Sequence, residues 1–327
     1  MTRDQNLGVP VSNATMLDLP FPPRSNPNQA SVAQRHRDWL LHHEGLAVTI
    51  TLPAYEKWDV PRLAAFTSPD SAADDLVLAA DLLGFYFLFD DRFDSDLGRS
   101  PARVAEMCTR LTGLLHGNGP EPGTRTAVEQ AFADLWERSV RGMSRRWLAR
   151  SAYNWEWYFA CHPAEAAGRL TGRLPDRESY LALRRGTAAM ETLFDMVERL
   201  NRFELPQEVL HHPAFRRMRQ LAADIPSFTN DVHSYAQELA RGDVANIVMI
   251  VREELDSTPD EAAVEVMREA QRMVDRFVEL SSEVPEICDL LGLSPAAREA
   301  ARRYVDGLAA WIAGYHRWEI DTGRYAH

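Results

Sequence analysis

Cysteine, positive charge and long apolar runs are what this sequence has little of. Cys108, Cys161 and Cys288 are its 3 cysteines among 327 residues, isolated from one another and without metal-ligand spacing. They point to a reducing cytoplasm and no disulfide framework. Basic residues number 36 against 48 acidic ones, a formal net charge of -12. A nucleic-acid binder needs a basic face to neutralise phosphates, so that class is excluded, as is adhesion to an anionic membrane. No window approaches the ~20 apolar residues of a membrane span. The opening Met1-Thr2-Arg3-Asp4-Gln5 lacks the apolar stretch of a signal peptide. The 10 histidines form no His-Glu-x-x-His string. A glycine-rich loop followed by Lys and Ser or Thr is also missing, and so is Gly-x-Ser-x-Gly.

What is there reads as helix. With 45% hydrophobic and 26% charged residues the chain can bury a large core. Residues 1–28 read as an N-terminal tail, because the prolines of Phe21-Pro22-Pro23-Arg24-Ser25-Asn26-Pro27-Asn28 cannot continue a helix. From about Gln34 on, Ala/Leu/Arg/Glu-rich segments are punctuated by Pro and Gly. Helices are predicted over Asp70 to Phe89, Ala102 to His116, Thr126 to about Phe159 and Asp176 to Asn201. Others are predicted over Pro213 to Arg241, Pro259 to Ser281, and Pro295 to about Glu319. Apolar residues recur at threes and fours within them, as in Leu181, Leu193, Met196, Val197 and Leu200, and strand-like alternation is scarce. No repeat or composition shift divides the chain. The expectation is one all-α bundle over residues 29–327.

Two polar elements stand out against that background. Leu82-Leu83-Gly84-Phe85-Tyr86-Phe87-Leu88-Phe89 is apolar almost all round and runs into Asp90-Asp91-Arg92-Phe93-Asp94, with Asp96 beyond. Carboxylates at a helix C-terminus oppose the macrodipole and repel one another, each effect costing roughly 0.3–1 kcal/mol. A cation would compensate, and Asp90 and Asp94, four residues apart on one face, can offer oxygens to a hard ion such as Mg²⁺. A solvated acidic turn is the bland alternative. The second element is Asn230, Ser234 and Glu238, spaced i, i+4, i+8, which spans about 80° of azimuth and about 12 Å of helix. Because side chains lean toward the helix N-terminus, an amide oxygen, a hydroxyl and a carboxylate can converge on one Mg²⁺. An exposed polar stripe is the alternative here. Gly242 supplies a helix stop just beyond.

On these residues the chain resembles the bacterial class I terpene synthases. Asp90-Asp91-Arg92-Phe93-Asp94 is similar to their aspartate-rich motif, and Asn230-Asp231-Val232-His233-Ser234-Tyr235-Ala236-Gln237-Glu238 to their Asn/Ser/Glu triad. The likeness extends to Gly242-Asp243 and Asn246. It includes an Arg-Tyr pair within Trp318-Glu319-Ile320-Asp321-Thr322-Gly323-Arg324-Tyr325, and an arginine about 46 positions before the triad Asn, which is Arg184. Phe21-Pro22, Asn26-Pro27 and Trp39 resemble the family's opening. One departure is Gln237, where the family usually carries Lys before the triad Glu.

The resemblance implies a class I terpenoid synthase-like bundle that ionises an isoprenyl diphosphate with three Mg²⁺ ions. Two would sit on the side of Asp90 and Asp94, one on Asn230, Ser234 and Glu238. Arg184, Arg324 and Tyr325 would bind diphosphate, and Thr187 and Ala188 would sit at a helix break that relays its binding. Farnesyl diphosphate is the implied substrate and a sesquiterpene the product, with geranyl and geranylgeranyl diphosphate the runners-up. Phe85, Phe89, Trp311 and Trp318 are the candidates for cavity walls that stabilise a carbocation through the ring quadrupole. Monomer and homodimer are both open. The competing readings are a prenyl diphosphate synthase, whose second aspartate-rich motif is here replaced by the triad, and a non-catalytic helical protein binding Mg²⁺ and diphosphate.

Overall fold

The computed structural model describes residues 16–324, and all regular structure among them is helical. In chain order the helices are Gln29–His42 (α1), Leu52–Glu56 (α2), Val60–Thr67 (α3), Ala73–Asp90 (α4) and Pro101–Leu115 (α5). Ala127–Val140 (α6), Arg145–Thr171 (α7), Arg177–Thr187 (α8), Met190–Leu200 (α9) and Gln207–Leu210 (α10) follow. Pro213–Arg241 (α11), Ile247–Glu254 (α12), Pro259–Ser282 (α13), Val284–Leu290 (α14) and Pro295–Asp321 (α15) complete the bundle.

α4 is the central helix, with 14 of its 18 residues buried, because its sequence has no polar face to give to water. It packs against α1, α3, α6 and α9. Gly84 permits the close approach of α1 and α2: a Cβ there would lie 2.7 Å from both His36 and the Tyr55 hydroxyl. Its buried acids are paired, Asp75 with Arg199 at 3.0 Å and Asp81 with Arg138 at 2.7 Å and His36 at 2.8 Å. α11 packs on α13 and α15, and α15 on α3. Thr126 and Thr258 close capping boxes at the starts of α6 and α13.

Two predicted helices are broken. The one expected over Thr126 to Phe159 divides at Arg141–Ser144, where Arg141 turns out of the helix and Gly142 adopts φ +82°. The Ser144 hydroxyl then caps α7. The one expected over Asp176 to Asn201 divides after Thr187, and Ala189 sits at φ 59°. Thr192 Oγ1 donates to the Ala189 carbonyl at 2.6 Å and meets the Tyr86 hydroxyl at 2.5 Å, which holds this non-glycine residue in the left-handed region. Residues 16–28 cross the bundle as an extended strap. The Leu17 N–H donates to His316 Nε2, Phe21 meets the edge of Phe277, and the Asn26 amide donates to the Ser68 and Ser71 carbonyls.

Candidate active site

α4 and α11 bring their C-terminal ends to one pocket of about 410 Å³, so their negative dipole ends meet there with the acids they carry, and α8 flanks it through Ser179, Leu183 and Arg184. One wall is the end of α4. After Asp90 the chain tightens into a single 3₁₀ turn, Asp91–Asp94, pinned by buried Phe93 and by Arg92, which donates to the Gly45 and Leu46 carbonyls. Asp91 meets Arg324 at 2.8 Å and Asp94 meets Arg241 at 2.8 Å. Asp90 is open to the pocket yet surrounded by protein, and burial together with Glu165 raises its pKa. Burial and the charge of Asp90 raise Asp94 to about 6.

The other wall is the last turns of α11. Ser234 Oγ lies 2.8 Å from the Asn230 carbonyl and 2.6 Å from Glu238 Oε1. The Asn246 amide donates to Glu238 Oε2 at 2.9 Å and to the Asp231 carbonyl at 2.8 Å. Gly242, at φ +78°, ends the helix, and the Asp243 N–H donates back to the Glu238 carbonyl at 3.0 Å. Burial, then the charge of Asp231, raises Glu238 to about 7. Asp231 points away from the pocket, where it accepts from the Tyr180 hydroxyl and the Ile247 N–H, each at 2.7 Å, and meets Arg184 at 3.0 Å. The same guanidinium donates to Asn230 Oδ1 at 2.6 Å.

The two walls are clasped. Arg241 joins α11 to Asp94, and Arg169 on α7 meets Asp243 at 2.6 Å and Glu165 at 3.3 Å. Arg324 lies over the faces of Trp58 and Phe87, 4.3 and 4.6 Å from their centroids, a cation–π seat that aims it at Asp91. Below the pocket an inner cavity of about 120 Å³ shares Asp90, Arg184, Asn230 and Arg324 with it and is otherwise walled by aromatic and aliphatic side chains, with Thr187 and Ser227 among them.

The structure thus gathers Asp90, Asp94, Asn230, Ser234, Glu238, Arg184 and Arg324 around one pocket, while Thr187 and Ala188 line the inner cavity at the end of α8. Tyr325 lies outside the described residues. The aromatic expectations need correction. Trp311 lines the inner cavity, but Phe85 and Phe89 are fully buried on another face of α4, in a stack with Phe132, Trp155, Phe159 and His162. Tyr86 and Phe87 are the α4 rings that face the cavity. Trp318 stands behind Phe87, stacked on it at 5.4 Å, with its indole N–H donating to the Trp58 carbonyl at 2.7 Å.

Sequence reasoning missed Glu165 and His162. Their ligand atoms and that of Asp90 all lie within 4.8 Å of one another, both His162 nitrogens are buried without a hydrogen-bond partner, and Glu165 Oε2 meets Arg169 at 3.3 Å without a well-formed hydrogen bond. Their i, i+3 spacing on α7 was the one available signal, and it says nothing of Asp90. Orphaned polar atoms beside a carboxylate, facing an oxygen-only triad, fit divalent cations.

Residues 81–276 match the family model for terpene synthase family 2, C-terminal metal binding. The chain belongs to that family. This terpene synthase is similar in structure to germacradien-4-ol synthase from Streptomyces citricolor, with a TM-score of 0.87 and 56% identity over 93% of this chain and 97% of that one. It is 33% identical over 97% of its length to pristinol synthase of Streptomyces pristinaespiralis, of which 86% is covered. It is 34% identical over 94% of its length to 7-epi-alpha-eudesmol synthase ((2E,6E)-farnesyl diphosphate cyclizing) of Streptomyces viridochromogenes, of which 91% is covered. As a member of the family it is a lyase that acts on an isoprenyl diphosphate with divalent metal. No described helix is long and apolar enough to cross a membrane.

Proposed function

We propose that this terpene synthase cyclises farnesyl diphosphate to a sesquiterpene, in the cytoplasm and with three Mg²⁺ ions. The observation that carries the reading is the pairing of two oxygen-rich walls, Asp90 and Asn230/Ser234/Glu238, over one pocket that opens into a small cavity rich in aromatic and aliphatic side chains. The farnesyl diphosphate named for the eudesmol synthase supplies the chain length.

Asp90 and Asp94 would hold cations on one wall and Asn230, Ser234 and Glu238 on the other. Bound there, the ions act as Lewis acids on the leaving diphosphate. Arg184 and Arg324 turn fixed cations toward the same anion, and hydrogen bonds between ionised groups are about twice as strong as neutral ones. Trp58 and Phe87 hold Arg324 in place, and Asp231 holds Arg184, so neither side chain must reorganise as charge develops. Tyr86, Phe87, Trp311 and Tyr315 wall the cavity below, exclude water and present ring faces to a cationic chain. Incubation with farnesyl diphosphate and Mg²⁺, with headspace analysis, tests the reading. Cyclic C15 hydrocarbon or alcohol is expected. Diphosphate release with only farnesol, or elongation when isopentenyl diphosphate is added, would count against it.

A further inference from the structure

The inner cavity ends on Leu83, Leu193 and Trp311. The same three side chains line a second cavity of about 490 Å³ on their other side, bounded by α4, α9, α15 and the strap. Positions advance in step along the three helices. On α4 they run from Asp90 at the mouth through Leu83 to Ala79, on α9 from Met190 through Leu193 to Val197, and on α15 from Tyr315 through Trp311 to Gly307. The mouth, the inner cavity and the rear cavity therefore lie in line, with about 10 Å of helix rise between Asp90 and Leu83 and about 6 Å more to Ala79. Nearest the three shared residues the rear cavity is apolar, lined by Leu82, Met196, Val197 and Ala310. Its exposed charged groups, Arg24, Asp70, Arg302 and Asp306, sit at the outer rim and are already paired with carboxylates or arginine.

We propose that Leu83, Leu193 and Trp311 form a partition that sets the longest prenyl chain the site accepts, and that the rear cavity can take the extra length of a longer chain once the partition is thinned. The proposal rests on the reading of the pocket as a prenyl diphosphate site and deepens it, since it assigns the length limit to named residues. All three side chains are almost fully buried, so they separate two spaces and do not merely flank them. A chain whose head is fixed beside Asp90 and Arg184 meets the partition with its tail. Shortening Leu83 or Leu193 joins the two spaces where both are lined by apolar side chains, without touching a polar group of the mouth.

The test compares kcat/KM for farnesyl and geranylgeranyl diphosphate with Mg²⁺ in the unmodified protein, Leu83→Ala, Leu193→Ala, and each combined with Ala310→Phe, which refills the rear cavity. The unmodified protein should favour the C15 substrate. Each single alanine variant should raise the C20:C15 ratio at least tenfold, and adding Ala310→Phe should return it toward the starting value. The shift in Tm given by farnesol and geranylgeraniol to the metal-free proteins should follow the same order without any chemistry. Leu83→Val and Leu193→Val give the same comparison, with a smaller gain, where an alanine variant does not fold. An unchanged ratio in folded variants, a gain that survives Ala310→Phe, or an unmodified protein equally active on C20 overturns the partition while leaving the function standing. An unmodified protein inactive on every prenyl diphosphate overturns the function beneath it as well.

Discussion

Arg184 on α8 donates to Asn230 on α11 across 2.6 Å, so the expected diphosphate sensor and one expected cation ligand already touch. The contact is possible because Asp231, one residue on, anchors the same guanidinium from behind at 3.0 Å. A disturbance at Arg184 therefore reaches the α11 wall directly, and it arises where α8 ends.

Arg184→Lys keeps the charge but loses the planar fork that serves Asn230 and Asp231 together. We expect kcat/KM to fall about 100-fold, near the loss of one well-placed donor to developing charge, with Tm moved by only a few degrees. Arg184→Met should instead cost about 3–5 kcal/mol, because it strands Asp231 as a buried unpaired acid. Steady-state kinetics and thermal melts on both variants check the pair of outcomes. A lysine variant with unimpaired kcat/KM would remove Arg184 from the chemistry.

Glu238→Gln separates ligation from structure. Its carboxyl, raised to about 7, is largely protonated at pH 6 in the cation-free protein, and an amide has nearly the shape of the protonated acid. The contacts to Ser234 and Asn246 can be kept with the amide oxygen toward Asn246. Tm without metal should hardly change at pH 6. Turnover should fall on the order of 100-fold or more, since a neutral amide is a poor substitute at a hard cation. Normal rates at limiting Mg²⁺ would take the triad out of the mechanism.

The raised pKa values also fix a pH dependence. Between the ordinary glutamate value of 4.5 and about 7, folded Glu238 holds a proton that the unfolded chain has released. Asp94 behaves likewise from 3.8 to about 6. Each therefore stabilises the fold at low pH, and that contribution is lost as pH rises through the folded value. Without divalent metal, Tm should decline from about pH 4 to about pH 7 on account of these two groups, and Glu238→Gln should flatten the upper part of the decline. Mg²⁺ competes with the protons, so the Tm increase it gives should grow from pH 5 to pH 8. Melting curves with EDTA and with Mg²⁺ across that range decide it, and a Mg²⁺ effect independent of pH would contradict the assignment.

What the sequence made legible was local. Asn230, Ser234 and Glu238 share a face because helical spacing puts them there, and Gly242 ends the helix as its type suggests. Glu165, His162, Arg169 and Arg241 were not legible as site residues, because only the packing of α7 and α11 against the end of α4 brings them to Asp90 and Asp94. The break after Thr187 could be placed by resemblance but not by periodicity, since Ala189 is no glycine and Thr192 and Tyr86 hold its turn from outside the segment. α4 shows the limit most clearly. A helix apolar all round carries no azimuthal signal, so nothing in its pattern said that Tyr86 and Phe87 face the cavity while Phe85 and Phe89 face the core.

That placement separates the two tryptophans of α15. Trp311 lines the inner cavity, whereas Trp318 is buried behind Phe87 and tied to the Trp58 carbonyl. Trp318→Ala should cost about 3–5 kcal/mol through the cavity it leaves and the lost support of Phe87. Because Phe87 and Trp58 seat Arg324, substrate consumption should slow as well. Every side chain that lines the cavity is retained, so the surviving activity should stay much nearer the unmodified product ratios than that of Trp311→Ala. Trp311→Ala removes a ring that can stabilise a desolvated cation by about 2 kcal/mol, which is enough to shift the partition between competing products roughly 30-fold. More acyclic or monocyclic product should appear as the cation deprotonates early or meets water. Product ratios and a melt on the same preparations distinguish the two roles, and a Trp318→Ala enzyme with a rewritten product pattern but intact Tm would reverse them.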